Sequence, residues 1–342
     1  MDIPGWVWAA TIALYAVLFV IDLLVVGRRP HIPSTAECVR WLSLYVGIAI
    51  AFGLAMWWWA GREYSVQFFA GWVTEYSLSV DNLFVFLLIM ARFYVPRPLQ
   101  QSVLMYGIFI ALVLRAIFIV LGAAVIARYS WVFYIFGAFL IFTAIKLATE
   151  GETDDDEYQE NALVRWVSRI VPTTPDFHGT SLRTIIDGKK LWTPMLLVLL
   201  SLGTTDLIFA LDSIPAIFGL TQEAYIVFAA NVFALLGLRQ LYFLLGDLIE
   251  KLEYLHYGIA FILGFIGVKL FFHALHENEV PFINGGQHVE WAPEISTWTS
   301  LAVILAAMAV AVAASLIKLR VDSKRTLREE LAARSLPGSD DE

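Results

Sequence analysis

The chain has 342 residues, of which 59% are hydrophobic and 16% charged, and it carries a formal net charge of -8. Its mean hydropathy of +0.71 favours a membrane protein over a water-soluble one. The single cysteine, Cys38, excludes an intrachain disulfide framework and any cysteine-rich metal or iron–sulfur site. The acidic balance says little about partners, because seven acidic residues lie in one segment, Glu150 to Glu160. We expect no nucleic-acid partner.

Nine apolar stretches are long enough to cross a bilayer core as a helix, which takes about 20 residues. In chain order they are Trp6 to Val26, Trp41 to Ala60, Val66 to Met90, Val103 to Ala127, Trp131 to Thr149, Leu191 to Leu220, Ala224 to Leu245, Tyr257 to His273 and Trp298 to Ile317. Because lipid cannot satisfy an open backbone, we predict an all-α, polytopic membrane helical bundle of about nine transmembrane helices. The first stretch lacks a basic flank and a small-residue cleavage site, so we expect a retained helix.

The basic residues between the spans predict the orientation. With the N-terminus outside, 17 of the 23 Lys and Arg residues fall on the inner side, as the positive-inside rule requires. We therefore expect a multi-pass protein of the bacterial inner membrane with a cytoplasmic C-terminus. Its membrane domain covers 1–320, with an acidic cytoplasmic loop at 150–190. The tail, 321–342, is expected to include a short amphipathic helix on anionic lipid.

Two spans carry acidic residues in the same pattern. The third contains the segment TEYSLSVDNLFVF and the sixth contains TDLIFALDSIPAIF. In each, an acid is followed six residues later by an aspartate and then by a small polar residue. The matched sets are Glu75, Asp81 and Asn82, and Asp206, Asp212 and Ser213. A carboxylate at mid-membrane costs about 2.5 to 3.5 kcal/mol on insertion scales, so four of them indicate a cation-binding function.

The match continues beyond these segments. Arg115 and Lys146 follow the first set 31 residues apart, and Arg239 and Lys269 follow the second 30 residues apart. Spans three to five (about 66–149) and six to eight (about 191–275) are therefore predicted to be two copies of one unit. An odd number of helices per copy makes the copies inverted, a pattern typical of transporters with a site at the repeat interface.

Helix geometry limits how these acids can act together. Positions six apart differ by about 240°, so Glu75 and Asp81 do not share a face of a straight helix, whereas Glu75 and Asn82 nearly do. One ion contacted by all the acids requires a broken helix. Pro215 predicts such a break, because it leaves the Leu211 carbonyl without a donor; an ordinary kink is the alternative. In the third span, only Ser77 and Ser79 are local candidates for loosening the helix.

The candidate ligands are carboxylates, an amide and hydroxyls, and such oxygen sites suit Mn²⁺, Mg²⁺ or Ca²⁺. We expect Arg115 and Arg239 each to pair with an acid, since buried carboxylates without compensation would take up protons. A purely structural set of ion pairs is the alternative. Lys146 and Lys269 lie near helix ends, where lysine can snorkel, and are weaker site candidates.

Two other polar groups are weaker candidates. The acidic run Glu150 to Glu160 could gather cations, although such runs are more often simply solvated. An exit-side metal site is a second hypothesis, formed by His273, His276, Glu277, His288 and Glu290.

The segments EYSLSVDNLFVF and TDLIFALDSIPAIFG, with the lysine-ended fifth and eighth spans, closely resemble the TerC/Alx family of integral membrane proteins, part of the LysE-type transporter superfamily. The resemblance covers roughly spans two to nine. It implies metal efflux, chiefly of manganese, and an older association with tellurium resistance. It also implies that Glu75, Asp81, Asp206 and Asp212 are the ion ligands.

Two functions remain open from the sequence. The first is ion transport: export of a divalent cation, chiefly Mn²⁺, in exchange for protons. The second is a membrane-embedded metal donor or scaffold that metalates partner proteins during secretion. We expect no enzyme, because no nucleophile and base pair lies at span depth, and no permanently bound cofactor. Expected partners are the metal ion and membrane lipid, with secretion machinery or a homo-oligomer as further candidates.

Overall fold

The structure is a computed structural model that describes residues 3–27, 33–150, 162–186, 189–249, 254–281, 283–289 and 291–334. This part of the chain forms eleven α-helices, a two-stranded sheet and a short 3-10 turn, Asn284–Gly286. The helices are α1 (Gly5–Gly27), α2 (Thr35–Trp59), α3 (Arg62–Arg92), α4 (Arg97–Ile126), α5 (Val132–Glu150), α6 (Ala162–Ile170), α7 (Pro194–Phe218), α8 (Ala224–Leu236), α9 (Leu238–Ile249), α10 (Leu255–His276) and α11 (Thr297–Arg334).

Seven helical segments in the described residues are long and apolar enough to cross a membrane. They are Thr35–Trp59, Arg97–Ile126, Val132–Thr149, Pro194–Phe218, Ala224–Leu244, Leu255–His276 and Thr297–Arg320. The helices α1 and α3 cover the first and third predicted spans but are not among the seven. The protein is thus a mostly helical bundle, and the total of nine spans stays a prediction.

The loop between α5 and α7 contains the small sheet, which the all-α prediction missed. Strand β1 (Arg183–Ile186) pairs antiparallel with β2 (Lys189–Trp192). The predicted sixth span began at Leu191, but that residue lies in β2, and α7 begins at Pro194. Proline suits the first turn of a helix, where its missing N–H costs nothing. The acidic run 151–161 lies outside the described residues.

The helix break predicted at Pro215 does not occur, because α7 continues through this residue to Phe218. Pro215 lies in the last turn, and its carbonyl accepts a hydrogen bond from Gly219 N at 2.9 Å. The backbone therefore stays helical, although Pro215 supplies no N–H to the Leu211 carbonyl. Helix α3 also runs unbroken from Arg62 to Arg92, and Ser77 Oγ donates to its own helix at Val73 O (2.7 Å).

The predicted seventh span is instead divided at Gly237 into α8 and α9. A Cβ atom at Gly237 would lie 2.7 Å from Tyr76 Oη and 2.9 Å from a methyl carbon of Leu42. Any larger residue at this position would require the Tyr76 and Leu42 side chains to shift. The division falls two residues before Arg239, one of the predicted pairing residues.

Helix pairs enclose the centre of the bundle. Helix α3 packs against α8, α4 against α7, and α5 against α10. The α5–α10 contact is close because of two glycines: a Cβ at Gly137 would lie 2.9 Å from Gly267 O. Small residues let helix backbones approach in this way. The four helices α3, α4, α7 and α8 surround the site described next.

Candidate functional site

Arg115 of α4 is the largest fully buried side chain in the described residues. Its Nε donates to Asp206 Oδ2 and its Nη2 to Asp206 Oδ1, both at 2.9 Å. This two-point geometry fits the planar guanidinium to the carboxylate and is the strongest form of such a pair. The pair joins α4 to α7.

The remaining arm of the guanidinium contacts three more side chains. Nη1 donates to Asn231 Oδ1 at 2.8 Å and to Ser213 Oγ at 3.3 Å. It also forms an ion pair with Glu75 Oε1. Asn231 Nδ2 donates to Val227 O within α8, which leaves the amide oxygen to face the arginine. One arginine thus connects α3, α4, α7 and α8.

The helical repeat explains which residues of α7 reach Arg115. Asp206 and Ser213 are seven residues apart and lie on nearly the same face, and both contact the guanidinium. Asp212 lies about 240° from Asp206 around the helix and points elsewhere. It accepts a hydrogen bond from Thr143 Oγ1 of α5 at 3.1 Å and is half-buried. The unbroken helix therefore directs the two aspartates of α7 towards different neighbours.

In α3, Glu75 is fully buried and Asn82 nearly so. Asp81 belongs to the helix, but its side chain lies outside the described residues. Glu75 Oε2 makes no hydrogen bond to the described part of the chain, and neither does Ser79 Oγ one turn further on.

The other charge-pairing candidates lie away from the Arg115 cluster. Arg239 is buried on α9 and lines a narrow crevice with Glu37, Cys38 and Gln101. Lys146 is exposed on α5. Lys269 Nζ donates to Ser300 Oγ of α11 at 3.2 Å, so this lysine is held inside the bundle and does not extend towards lipid.

Two adjoining cavities open where α3 and α11 begin and α10 ends. The larger, about 680 Å³, is lined by Arg62, Glu63 and Glu294 among others. The smaller, about 310 Å³, is lined by Gln67, Thr221 and Glu223. Both are also lined by Lys269 and His273. We call the two together the vestibule.

The histidines of the hypothetical exit-side site contact separate acids at the vestibule. His273 Nε2 lies 3.5 Å from Glu277 Oε2, and His276 Nε2 lies 3.3 Å from Glu294 Oε1. His288 Nδ1 contacts His276 O and no carboxylate in the described contacts. Glu290 lies outside the described residues.

No three His, Cys, Asp or Glu side chains within the described residues are grouped as a metal site requires. The described part of the central cluster is instead two carboxylates on one guanidinium. Their formal charges leave one negative charge without a compensating group among these contacts. Such a buried excess is costly, so the cluster has an electrostatic preference for a further cation.

Asn231 is the cluster member that the sequence analysis missed. It has no counterpart in the repeated segments, and a single amide in the apolar helix AYIVFAANVFALL was the signal that could have identified it. A buried amide in a membrane helix must find a polar partner, and Arg115 is that partner.

The comparison with known proteins identifies the class. The family described as "Integral membrane protein TerC family" matches residues 60–323. The chain belongs to this family and is a multi-pass integral membrane protein.

Several bacterial membrane proteins are similar to the chain over most of its length. The "Uncharacterized membrane protein Rv2723" of Mycobacterium tuberculosis is 48% identical over 318 residues, which cover 92% of this chain and 80% of the relative. The "Uncharacterized membrane protein STKORF319" of Myxococcus xanthus is 41% identical over 317 residues, 93% of each chain. The "Putative membrane-bound redox modulator Alx" of Escherichia coli is 39% identical over 272 residues, 77% of this chain and 84% of the relative. No solved structure matches.

Proposed function

We propose that the protein is a transporter that exports a divalent metal ion, chiefly Mn²⁺, across the bacterial inner membrane. The observation that carries the proposal is the central cluster. Glu75 and Asp206 are fully buried carboxylates on two helices, and their negative charge exceeds that of Arg115. Asn231 and Ser213 add an amide and a hydroxyl oxygen. Oxygen ligands of this kind suit hard divalent cations.

The packing of the bundle supports two inverted copies. Suppose that a twofold axis exchanges α3 with α7, α4 with α8, and α5 with α10. The contact between α3 and α8 then becomes the contact between α7 and α4, and α5 and α10 can pack against each other across the axis. These are the contacts observed. Arg115 lies among them and holds Glu75 of the first copy and Asp206 of the second. A site at the interface of inverted repeats is typical of secondary transporters.

The vestibule is where we place the exit of the metal ion, because it opens at the end of the bundle where α3 and α11 begin. Glu63, Glu223 and Glu294 line it and favour cations, and Lys269 lines both of its cavities. With the predicted N-terminus outside, the vestibule faces the exterior and metal leaves through it. Protons entering by the same route would replace the lost charge, which makes the exchange of metal for protons the expected coupling.

The name of the Alx relative raises redox chemistry as another possibility. Thiol–disulfide exchange within one chain needs two cysteines, and this chain has only Cys38. Metal transport therefore accounts better for the buried acids.

Metal uptake into proteoliposomes tests the proposal. We expect transport of Mn²⁺ in preference to Mg²⁺, Ca²⁺ and Zn²⁺, and its loss in Asp206→Asn. Arg128→Gln is the matched control, because this exposed residue lies just after α4, outside the cluster. A wild-type protein that moves none of the four ions would contradict transport and favour the metal-donor function.

A further inference from the structure

The central cluster indicates how a transporter could both bind and release a divalent ion. We infer that Arg115 is a tethered cation: its guanidinium occupies both oxygens of Asp206 and one oxygen of Glu75, and a metal ion must displace it to be chelated by Asp206. The inference rests on the proposed function and adds a specific role for this arginine. That role is to compete with the transported ion at its own ligands.

The first argument is that guanidinium and metal exclude each other. Both oxygens of Asp206 accept hydrogen bonds from Arg115, and Glu75 Oε1 contacts the same guanidinium. A divalent ion would need to lie about 2.0 to 2.6 Å from these oxygens. An ion chelated by both oxygens of Asp206 would lie between them, where the Nε and Nη2 donors of Arg115 now approach at 2.9 Å, and would overlap the guanidinium. Arginine and a chelated metal ion can therefore hold the two oxygens of Asp206 only in alternation, while Glu75 Oε2 accepts no hydrogen bond from the described residues.

The second argument is that neutral acceptors flank the ion pair. Asn231 Oδ1 lies 2.8 Å and Ser213 Oγ 3.3 Å from Nη1, on the arm of the guanidinium that does not bind Asp206. If a metal takes the carboxylates, these two oxygens can still accept hydrogen bonds from the displaced arginine. The guanidinium then needs only a small shift within the bundle. It stays buried and keeps these two hydrogen-bond partners.

The third argument is the charge of the site. Two buried carboxylates with no cation carry two negative charges, which would hold a divalent ion strongly and make its release slow. Returning arginine competes with the ion for both carboxylates and so promotes release. The apparent affinity for metal is the intrinsic affinity multiplied by the fraction of protein in which the carboxylates are free of arginine. Arg115 thus lowers affinity and raises turnover.

Binding and transport should consequently change in opposite directions when the guanidinium is removed. In purified full-length protein in nanodiscs, we expect Arg115→Gln to bind Mn²⁺ at least about tenfold more tightly than wild type, within the usual range of coupling between two linked equilibria. Proteoliposome export should fall at the same time. Arg128→Gln, which removes an exposed arginine, should change neither quantity.

Arg115→Lys provides a second test in case Arg115→Gln does not fold. Lysine keeps the positive charge but cannot bind both oxygens of Asp206 as a fork, so Mn²⁺ affinity should be intermediate. In Arg115→Ala, added methylguanidinium should compete with Mn²⁺ and restore the wild-type affinity. If the folded lysine and glutamine variants bound Mn²⁺ no more tightly than wild type, the inference would be overturned. Transport by wild type in the same experiment would leave the proposed function intact. Absence of Mn²⁺ binding and transport in wild type would overturn both.

Discussion

Arg115 and Asp206 form a two-point ion pair in which Nε–Oδ2 and Nη2–Oδ1 are both 2.9 Å. The two residues belong to different predicted copies of the repeat and to helices that pack against each other. Both side chains are buried, so the pair is expensive to break and is itself only a modest source of stability. Its value lies in fixing α4 relative to α7 while keeping two ionised groups inside the membrane.

A double-mutant cycle should reveal this coupling. We expect Arg115→Gln to destabilise the protein by about 3 to 5 kcal/mol, because it leaves two buried carboxylates without a cation. Asp206→Asn should destabilise it less, because Arg115 keeps its ion pair with Glu75. The double variant should be less destabilised than the sum of the two. Reversible unfolding of the purified protein in mixed micelles measures the three changes. Asp212→Asn is the control: combined with Arg115→Gln it should be additive, since Asp212 contacts Thr143.

Asp212 provides a separate test of ligand function. Asp212→Asn keeps the size of the side chain and leaves the Arg115 cluster unchanged, so the protein should insert and accumulate normally. If Asp212 is an ion ligand, Mn²⁺ export should fall at least about tenfold, since a hard anionic ligand is lost. Thr143→Val removes only the hydrogen bond to Asp212 and should have a smaller effect. Normal export by Asp212→Asn in the proteoliposome assay would remove this residue from the candidate ligands.

Two glycines of α10 should respond differently to the same substitution. A Cβ at Gly267 would lie 2.8 Å from Ile141 Cγ1 and 3.0 Å from Gly137 O, whereas a Cβ at Gly264 would meet Ala144 Cβ at 3.5 Å, an ordinary contact. Gly267→Ala should therefore cost about 1 to 3 kcal/mol of stability through overpacking of α5 against α10. Gly264→Ala should be close to neutral. Similar melting temperatures for the two variants would contradict the close α5–α10 contact.

The division between α8 and α9 predicts a suppressor. Gly237→Ala would place a Cβ 2.7 Å from Tyr76 Oη and should lower the melting temperature. Tyr76→Phe removes this oxygen, so the double variant should recover part of the loss. If the single variant Gly237→Ala were as stable as wild type, α3 would not need glycine at this point.

The sequence predicted the helical bundle well because long apolar stretches have few alternatives in a membrane. The observed α2, α4, α5 and α10 overlap four predicted spans closely. The hairpin of β1 and β2 was missed because its residues RTII and KKLW are short and lie beside a span, where the apolar pattern is continuous. The same continuity placed the start of the sixth span at Leu191, three residues before Pro194.

Part of the candidate site could be anticipated in the same way. A seven-residue spacing puts Asp206 and Ser213 on one helical face, and both contact Arg115. Which neighbour each face meets depends on packing between distant segments. Local sequence therefore gave no indication that Glu75 and Asp206 share one arginine, or that Asn231 joins them. The effect of Pro215 was overestimated, because it removes the N–H donor to the Leu211 carbonyl while the backbone of α7 stays helical to Phe218.

Proton exchange is the remaining prediction. The described cluster has one negative charge in excess. A divalent ion neutralises this charge while it is bound, and protons must neutralise it after the ion has left. Export in vesicles should therefore accelerate when a proton gradient is directed opposite to the metal flux. The compartment that receives the metal should become more alkaline, because protons leave it as metal arrives. A pH-sensitive dye and radioactive Mn²⁺ measure both fluxes in the same proteoliposomes, with the membrane potential clamped.

Asp206→Asn, which lacks one of the two carboxylates, should abolish the coupled proton flux. Metal efflux that is insensitive to a protonophore under this clamp would exclude exchange and favour a uniporter.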